Sequence, residues 1–398
     1  MISNTDSYDF FAPNVIVYGW GRSSEIGTLA KPWGTKTIVF CGSKTLQKNG
    51  VLDALTKSLQ NNKIDVLLTI NVHGEPSVEQ IDKAVLECNS ELNRSTSLAE
   101  TSIIALGGGS AIDTAKAVAA MLVNANGRSI RDFLEGVGTG ADLQQDALPV
   151  IAIPTTAGTG SEATKNAVIS VSDPCVKKSL RHNSLMPKVA LVDPELTTFC
   201  PPHITATSGI DALTQLIESF ISRKAKPIPQ ALAIQGLGLI WNSLQIAFEN
   251  PQNRDAREKV AHAALLSGMC LANSGLGMAH GVAAALGAQA KTPHGIACAC
   301  MLPIALEVNK QEAMAQLSAL ANFLLPPPRR YSSDCVDEFI QRIIQICSAL
   351  NLPQKLSQLG VHLSQIPSIA RGSLGNSMDG NPKQLSIAEI IEILEKAY

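Results

Sequence analysis

Charged and aromatic side chains are scarce in this 398-residue chain: 17% of residues are Asp, Glu, Lys or Arg, and 4% are aromatic. The formal net charge is -2, with no basic block beyond Arg329-Arg330. Lacking a cationic stripe, the chain is a poor partner for nucleic acid or an anionic membrane surface. No apolar run approaches the length of a membrane span. The N-terminus, Met1 to Phe11, lacks both the basic and the apolar segment of a signal peptide. Nine cysteines, scattered and odd in number, fit reduced thiols rather than a disulfide framework, which points to the cytoplasm. Few charges do not imply disorder here, because 45% of residues are hydrophobic and can build a core.

What is present falls into two patterns, and the length favours two domains. Val15-Tyr18, Thr37-Cys41, Val66-Val72, Ile103-Leu106 and Val150-Ile153 read as strands bounded by Gly or Pro. Ser77-Leu92 and Ala111-Leu122 carry helical spacing between them. This alternation predicts a mainly parallel sheet with helices on both faces. The last strand signal is Leu191-Val192. Beyond it, Asp211-Ser222, Gln230-Ala247 and Arg257-Ala272 read as helices. The expected division is an α/β domain over residues 1–190 and an all-helical domain over 191–398. Pro326-Pro327-Pro328 reads as a surface connection, and Ser386 with Glu389 as a capping box opening the last helix.

Two loops suit a dinucleotide. Ile103 to Leu106 runs into Gly107-Gly108-Gly109-Ser110 and then a helix, so backbone N–H groups can approach a pyrophosphate unobstructed. Ser110 and Asp113 have the spacing of an N-cap and its third following residue, which would make them part of that turn. Pro154-Thr155-Thr156-Ala157-Gly158-Thr159-Gly160-Ser161 follows another strand, and hydroxyls at a strand's carboxyl end suit a ligand crevice. Three residues of ligand type, Asp211, His280 and His294, lie in stretches otherwise small and apolar. A carboxylate and two imidazoles are costly to bury unless something satisfies them, and one divalent metal would satisfy all three. Gln215 lies four residues after Asp211, on the same helix face.

Taken in order, these stretches resemble the iron-containing (group III) alcohol dehydrogenases. The resemblance rests on Gly107-Gly108-Gly109-Ser110-x-x-Asp113-x-x-Lys116, Pro154 to Glu162, Asp193-Pro194-Glu195-Leu196 and Thr207-x-Gly209-x-Asp211-Ala212-Leu213. Gly275-Leu276-Gly277-x-x-His280, Pro293-His294-Gly295 and Asn381-Pro382 complete it. It implies a dinucleotide-binding α/β domain, a helical metal-binding domain and a cleft between them. The implied activity is hydride transfer between a small alcohol or aldehyde and C4 of NAD(P)(H), with one divalent metal, zinc or iron. By position, Gly108, Gly109 and Ser110 contact the pyrophosphate, and Thr155, Thr156, Thr159 and Lys178 line the rest of the cofactor site. Leu196 and Cys200 fall near the nicotinamide, and Asp211, Gln215, His280 and His294 are the metal positions. A homodimer is also implied.

Three positions depart from the family pattern. Gln215 stands where a second metal-binding His is usual, and Ala284 where a further His lies near the nicotinamide. Ser43, beside Lys44, stands where an acid commonly holds the ribose hydroxyls. Loss of that acid removes a repulsion against a 2′-phosphate, so NADP(H) is expected to be accepted. The small apolar residues Ala279 to Ala285 suggest a small neutral substrate. A reductase for a charged aldehyde or oxo acid, a lyase of the dehydroquinate-synthase type and a non-catalytic dinucleotide-binding protein are the competing readings.

Overall fold

The computed structural model describes residues 7–95, 98–327 and 333–398. Two compact units divide the chain: Phe11–Thr156 with Gly160–Cys200, and a second one built on Pro201–Tyr398 that includes Ala157–Thr159.

The first unit contains β1 (Val15–Tyr18), β2 (Lys36–Cys41), β3 (Asp65–Asn71), β4 (Thr101–Gly107), β5 (Val150–Pro154), β6 (Asn166–Val171), β7 (Val176–Arg181) and β8 (Val189–Val192). Its helices are α1 (Ile26–Ala30), α2 (Lys44–Lys48), α3 (Val51–Asn61), α4 (Val78–Ser95) and α5 (Gly109–Asn124). Six strands form one parallel sheet in the order β1-β8-β5-β4-β2-β3. The two-residue period of a strand explains how both faces are filled. Ile38, Phe40, Ile103, Ala105, Val150 and Ala152 pack into one cluster with α4 and α5. The alternate residues Val39, Cys41, Ile104, Leu106, Ile151 and Ile153 pack into another with α1 and α3. A strand covered on both sides is apolar throughout, and β4 is buried along its whole length.

All five strands read from the sequence are present. The hairpin β6–β7 was not among them. Its second strand, Val-Lys-Lys-Ser-Leu-Arg, is too polar to stand out by composition.

The second unit is helical: α6 (Pro202–Ile221), α7 (Pro227–Glu249), α8 (Arg254–Ser274), α9 (Met278–Gln289), α10 (His294–Asn309), α11 (Met314–Leu324), α12 (Ser333–Ala349), α13 (Ile366–Gly372) and α14 (Ile387–Lys396). One expectation needs correcting. Among the described residues α7 is, by length and composition, apolar enough to cross a membrane. It instead buries Ala233, Leu237, Ile240, Leu244 and Ala247 inside this unit, and Trp241 stacks on Phe339 of α12 at 5.4 Å between ring centroids. The capping box is as read: Ser386 Oγ accepts from the Glu389 N–H, and the Glu389 carboxylate accepts from the Ser386 N–H. Pro326 and Pro327 are exposed after α11, while Pro328 and Arg329-Arg330 lie outside the described residues.

Candidate active site

In the sheet, chemistry gathers at the carboxyl ends of β2, β4 and β5. After β2 the chain moves outward to β3, and then it returns to place β4 on the other side of β2. The carboxyl ends of β2 and β4 therefore flank the switch point where open α/β sheets bind ligands. Register sets Cys41 beside Leu106 and Gly107 beside Pro154, so the loops starting at Ser43, Gly107 and Thr155 emerge side by side. Gly108 leaves little room for a side chain: a Cβ there would stand 3.1 Å from Thr156 Oγ1. Helix α5 opens directly behind it at Gly109, and its first N–H groups and dipole face the turn.

The expected Ser110 cap is not formed. Gly108 occupies the N-cap position with no side-chain cap, because the helix begins one residue before Ser110. Asp113 turns inward: it is 8% exposed, and its Oδ2 accepts the Val168 N–H of β6 at 3.0 Å. Beside it the fully buried Lys116 ammonium donates to Ser161 O, to Thr164 O at 2.7 Å and to Thr164 Oγ1 at 2.9 Å. One cation thus pins the end of the hydroxyl-rich loop. Burial lowers the Lys116 value to about 8 and raises that of Glu162 to about 7. Ser43 caps α2 by accepting the Thr45 N–H at 3.0 Å, with Lys44 exposed in the first turn. Cys200 Sγ donates to Thr155 O at 3.0 Å, Leu196 is buried in the core at 4% exposure, and Lys178 is half-buried on β7.

The helical unit brings Asp211, His280 and His294 together, although 69 residues separate the first two. Asp211 lies within α6. Helix α10 begins close to it because Gly295 has no side chain; a Cβ there would fall 2.1 Å from Thr207 O, one turn before Asp211. That approach puts His294 Nε2 3.7 Å from Asp211 Oδ1, while His280 Nε2 lies 3.1 Å from the same oxygen. Asp211 and His280 are buried, and the His294 side chain is 36% exposed.

Two side chains at the cluster escaped the sequence reading. Glu218, two turns beyond Asp211 on α6, is 2% exposed and holds His280 from behind through Nδ1 at 2.7 Å. Its carboxylate also accepts the backbone N–H groups of Gly277 at 3.0 Å and Ala279 at 2.7 Å. The same acid therefore caps α9 and fixes the tautomer of the histidine three residues into its cap. Asn381 Oδ1 takes the Met278 N–H at 3.0 Å, completing the cap. The second is Cys298, one turn after His294 on α10, with Sγ 3.7 Å from His294 Nε2. Ligand atoms of Asp211, His280, His294 and Cys298 all lie within 4.8 Å of one another. A sequence signal existed for Cys298, its four-residue spacing from His294.

Gln215 also lies here, but with its amide nitrogen 3.3 Å from Asp211 Oδ2 and its oxygen accepting from Ser267 Oγ at 2.7 Å. In this orientation it offers the cluster an N–H and no lone pair. A second correction concerns substrate size. Ala279, Val282, Ala283 and Ala285 are packed in the helical core, so their smallness says nothing about a ligand.

The donor set fits a divalent cation. Glu218 faces Nδ1 of His280 and the Asp211 carboxylate faces Nε2; in a neutral imidazole that keeps its proton on Nδ1, Nε2 presents a lone pair that a cation can share with that carboxylate. Tetrahedral bonds of about 2.0–2.3 Å put ligand atoms roughly 3.3–3.8 Å apart, close to the separations here. Without a cation the imidazoles take up protons instead. Burial opposes ionisation of Asp211, yet the His280 hydrogen bond and both imidazoles hold its carboxyl below the usual range. The facing Cys298 sulfur raises His294, and His280 is raised well above the ordinary value against its burial.

A parallel sheet with a glycine turn at its switch point, and a buried acid–imidazole cluster, define the class of metal- and dinucleotide-dependent oxidoreductases. Residues 13–194 match the model for iron-containing alcohol dehydrogenases, and residues 205–398 match the C-terminal model of the Fe-containing alcohol dehydrogenase family. The chain belongs to this family. It is an alcohol and aldehyde oxidoreductase acting on CH–OH donors, with NAD(P) and a divalent metal as cofactors. It is 31% identical to alcohol dehydrogenase 4 of Saccharomyces cerevisiae over 395 residues, covering 98% of both chains. It is 30% identical to an NAD-dependent methanol dehydrogenase of Bacillus methanolicus over 391 residues, covering 98% of this chain and 99% of that protein. The solved alcohol dehydrogenase of Oenococcus oeni superposes with a TM-score of 0.89 at 31% identity, over 98% of this chain and all of that one.

Proposed function

We propose that Asp211, His280 and His294 hold the divalent metal, and that the turn Gly107–Ser110 with Thr155 and Thr156 holds the dinucleotide. The reaction is hydride transfer between the carbinol carbon of an uncharged alcohol and nicotinamide C4, or the reverse with an aldehyde. A bound cation supplies Lewis acidity toward the substrate oxygen, and the dinucleotide accepts or donates the hydride. The observation that supports the metal assignment is the convergence of two Nε2 atoms on one Asp211 carboxylate oxygen, at 3.1 and 3.7 Å.

This chain's own residues have separate tasks. Glu218 keeps a proton on Nδ1 of His280 and so leaves Nε2 free as a donor. The first turn of α5 presents backbone N–H groups to an anion, and Lys116 keeps the neighbouring loop in shape. Ser43 and Lys44 place no carboxylate after β2, which supports acceptance of a 2′-phosphate and hence of NADP(H). Neutral substrates are supported by the absence of Lys and Arg from α6, α9 and α10, the three helices that carry the cluster. We further place the enzyme in the cytoplasm as a homodimer.

Elemental analysis of protein purified without added metal, paired with an alcohol and aldehyde panel run with NADH and NADPH, tests the assignment. One equivalent of metal is expected, and Asp211→Ala should lose both metal and turnover. An Asp211→Ala variant with full metal and full activity would refute it.

A further inference from the structure

The metal reading leaves one buried group at the cluster without a role. Cys298 is fully buried, and its sulfur meets an imidazole nitrogen. Four other cysteine sulfurs donate to backbone carbonyls: Cys41 to Ser43, Cys200 to Thr155, Cys270 to Pro229 and Cys347 to Ala299. Position explains the difference. His294 and Cys298 are four residues apart on α10, so one helix face presents both.

Resting on the assignment of Asp211, His280 and His294 as ligands, we propose that the Cys298 thiolate is the fourth protein ligand of the metal. Sγ shares the 4.8 Å cluster with a carboxylate oxygen and two ring nitrogens, and its 3.7 Å separation from His294 Nε2 is a tetrahedral edge. Gln215, the remaining candidate, turns its nitrogen toward Asp211 and its oxygen toward the Ser267 hydroxyl, which also faces Ala264 O. The balance is simple. The thiol S–H bond breaks, a sulfur–metal bond forms, and the proton leaves to solvent; nothing is oxidised or reduced. A set of two nitrogens, one oxygen and one sulfur selects zinc over hard cations such as magnesium. Two anionic ligands also cancel the charge of a divalent ion, where Asp211 alone would leave +1.

The test uses the full chain, stripped of metal and titrated with cobalt(II). Wild type is expected to bind one equivalent and to develop sulfur-to-cobalt charge-transfer absorption in the near ultraviolet. Cys298→Ser should lose that band and bind zinc at least tenfold more weakly. Zinc-edge X-ray absorption of the loaded wild type should show one sulfur scatterer at about 2.3 Å. The wild-type spectra do not depend on the variant folding. One equivalent of cobalt bound with no charge-transfer band, and no sulfur scatterer at zinc, overturns the proposal but leaves the three-ligand reading standing. Failure of wild type to bind cobalt, or equal binding by Asp211→Ala, sinks that reading and the proposal together.

Discussion

Replacing Glu218 by Gln tests whether one buried carboxylate both caps α9 and aims His280. The charged group accepts from the Gly277, Ala279 and His280 N–H groups at 3.0, 2.7 and 3.4 Å, and from His280 Nδ1 at 2.7 Å. An amide keeps one acceptor oxygen and turns an NH₂ group toward donors, so at least two charge-assisted bonds are lost. At about 1.5 kcal/mol each, the destabilisation is about 3 kcal/mol. Unfolding entropy near 2.1 cal/mol/K per residue over roughly 200 helical-unit residues converts this to a fall of about 7 °C in Tm. Because His280 also loses the partner that fixes its tautomer, zinc affinity should drop about 10–100-fold. Thermal denaturation of the metal-stripped chain reads the first effect, and competition with a chromophoric chelator reads the second. A Glu218→Gln protein with unchanged Tm and unchanged zinc affinity would show that the carboxylate neither caps the helix nor positions the ligand.

Three further outcomes follow from the α/β unit. Glu162 has its value raised by burial from 4.5 to about 7, so the native state loses stability as pH climbs from about 4.5 to 7. The deficit approaches about 3 kcal/mol at about 1.36 kcal/mol per unit. Glu162→Gln should flatten that window in denaturant titrations; an unchanged profile would contradict it. Lys116, lowered by burial to about 8, acts in a separate window, where stability recovers between about pH 8 and 10.5. Ser43→Asp should weaken NADPH binding at least tenfold while sparing NADH, measured by cofactor fluorescence; equal loss of both would mean that residue 43 does not face the ribose.

How much was legible differs by residue, and the reason is energetic. Asp211, His280 and His294 could be picked out because polar groups in apolar stretches are expensive unless paired. Cys298 carried only its four-residue spacing from His294, and that was masked because a thiol is at home among Ala and Met, so Ala-Cys-Ala-Cys-Met reads as core. Glu218 gave no signal either: one acid near a helix end is ordinary until the start of α9 is known to lie against it. The Ser110 cap failed because spacing rules place a cap only to within a residue or two, and Gly108 supplied the turn.

The strands β1 to β5, the glycine turn, the family and the main helices were written in the sequence, since alternation, helical period and Gly/Pro punctuation are local properties of the chain. Folding alone decided that four side chains spread over 88 positions, Asp211 to Cys298, meet within 4.8 Å. It also decided that Gln215 faces the cluster with nitrogen and that the small residues of α9 serve the core. Those outcomes depend on how helices approach one another, at Gly295 against Thr207 and at Glu218 beneath α9. Contacts between residues so far apart leave no periodic trace along the chain.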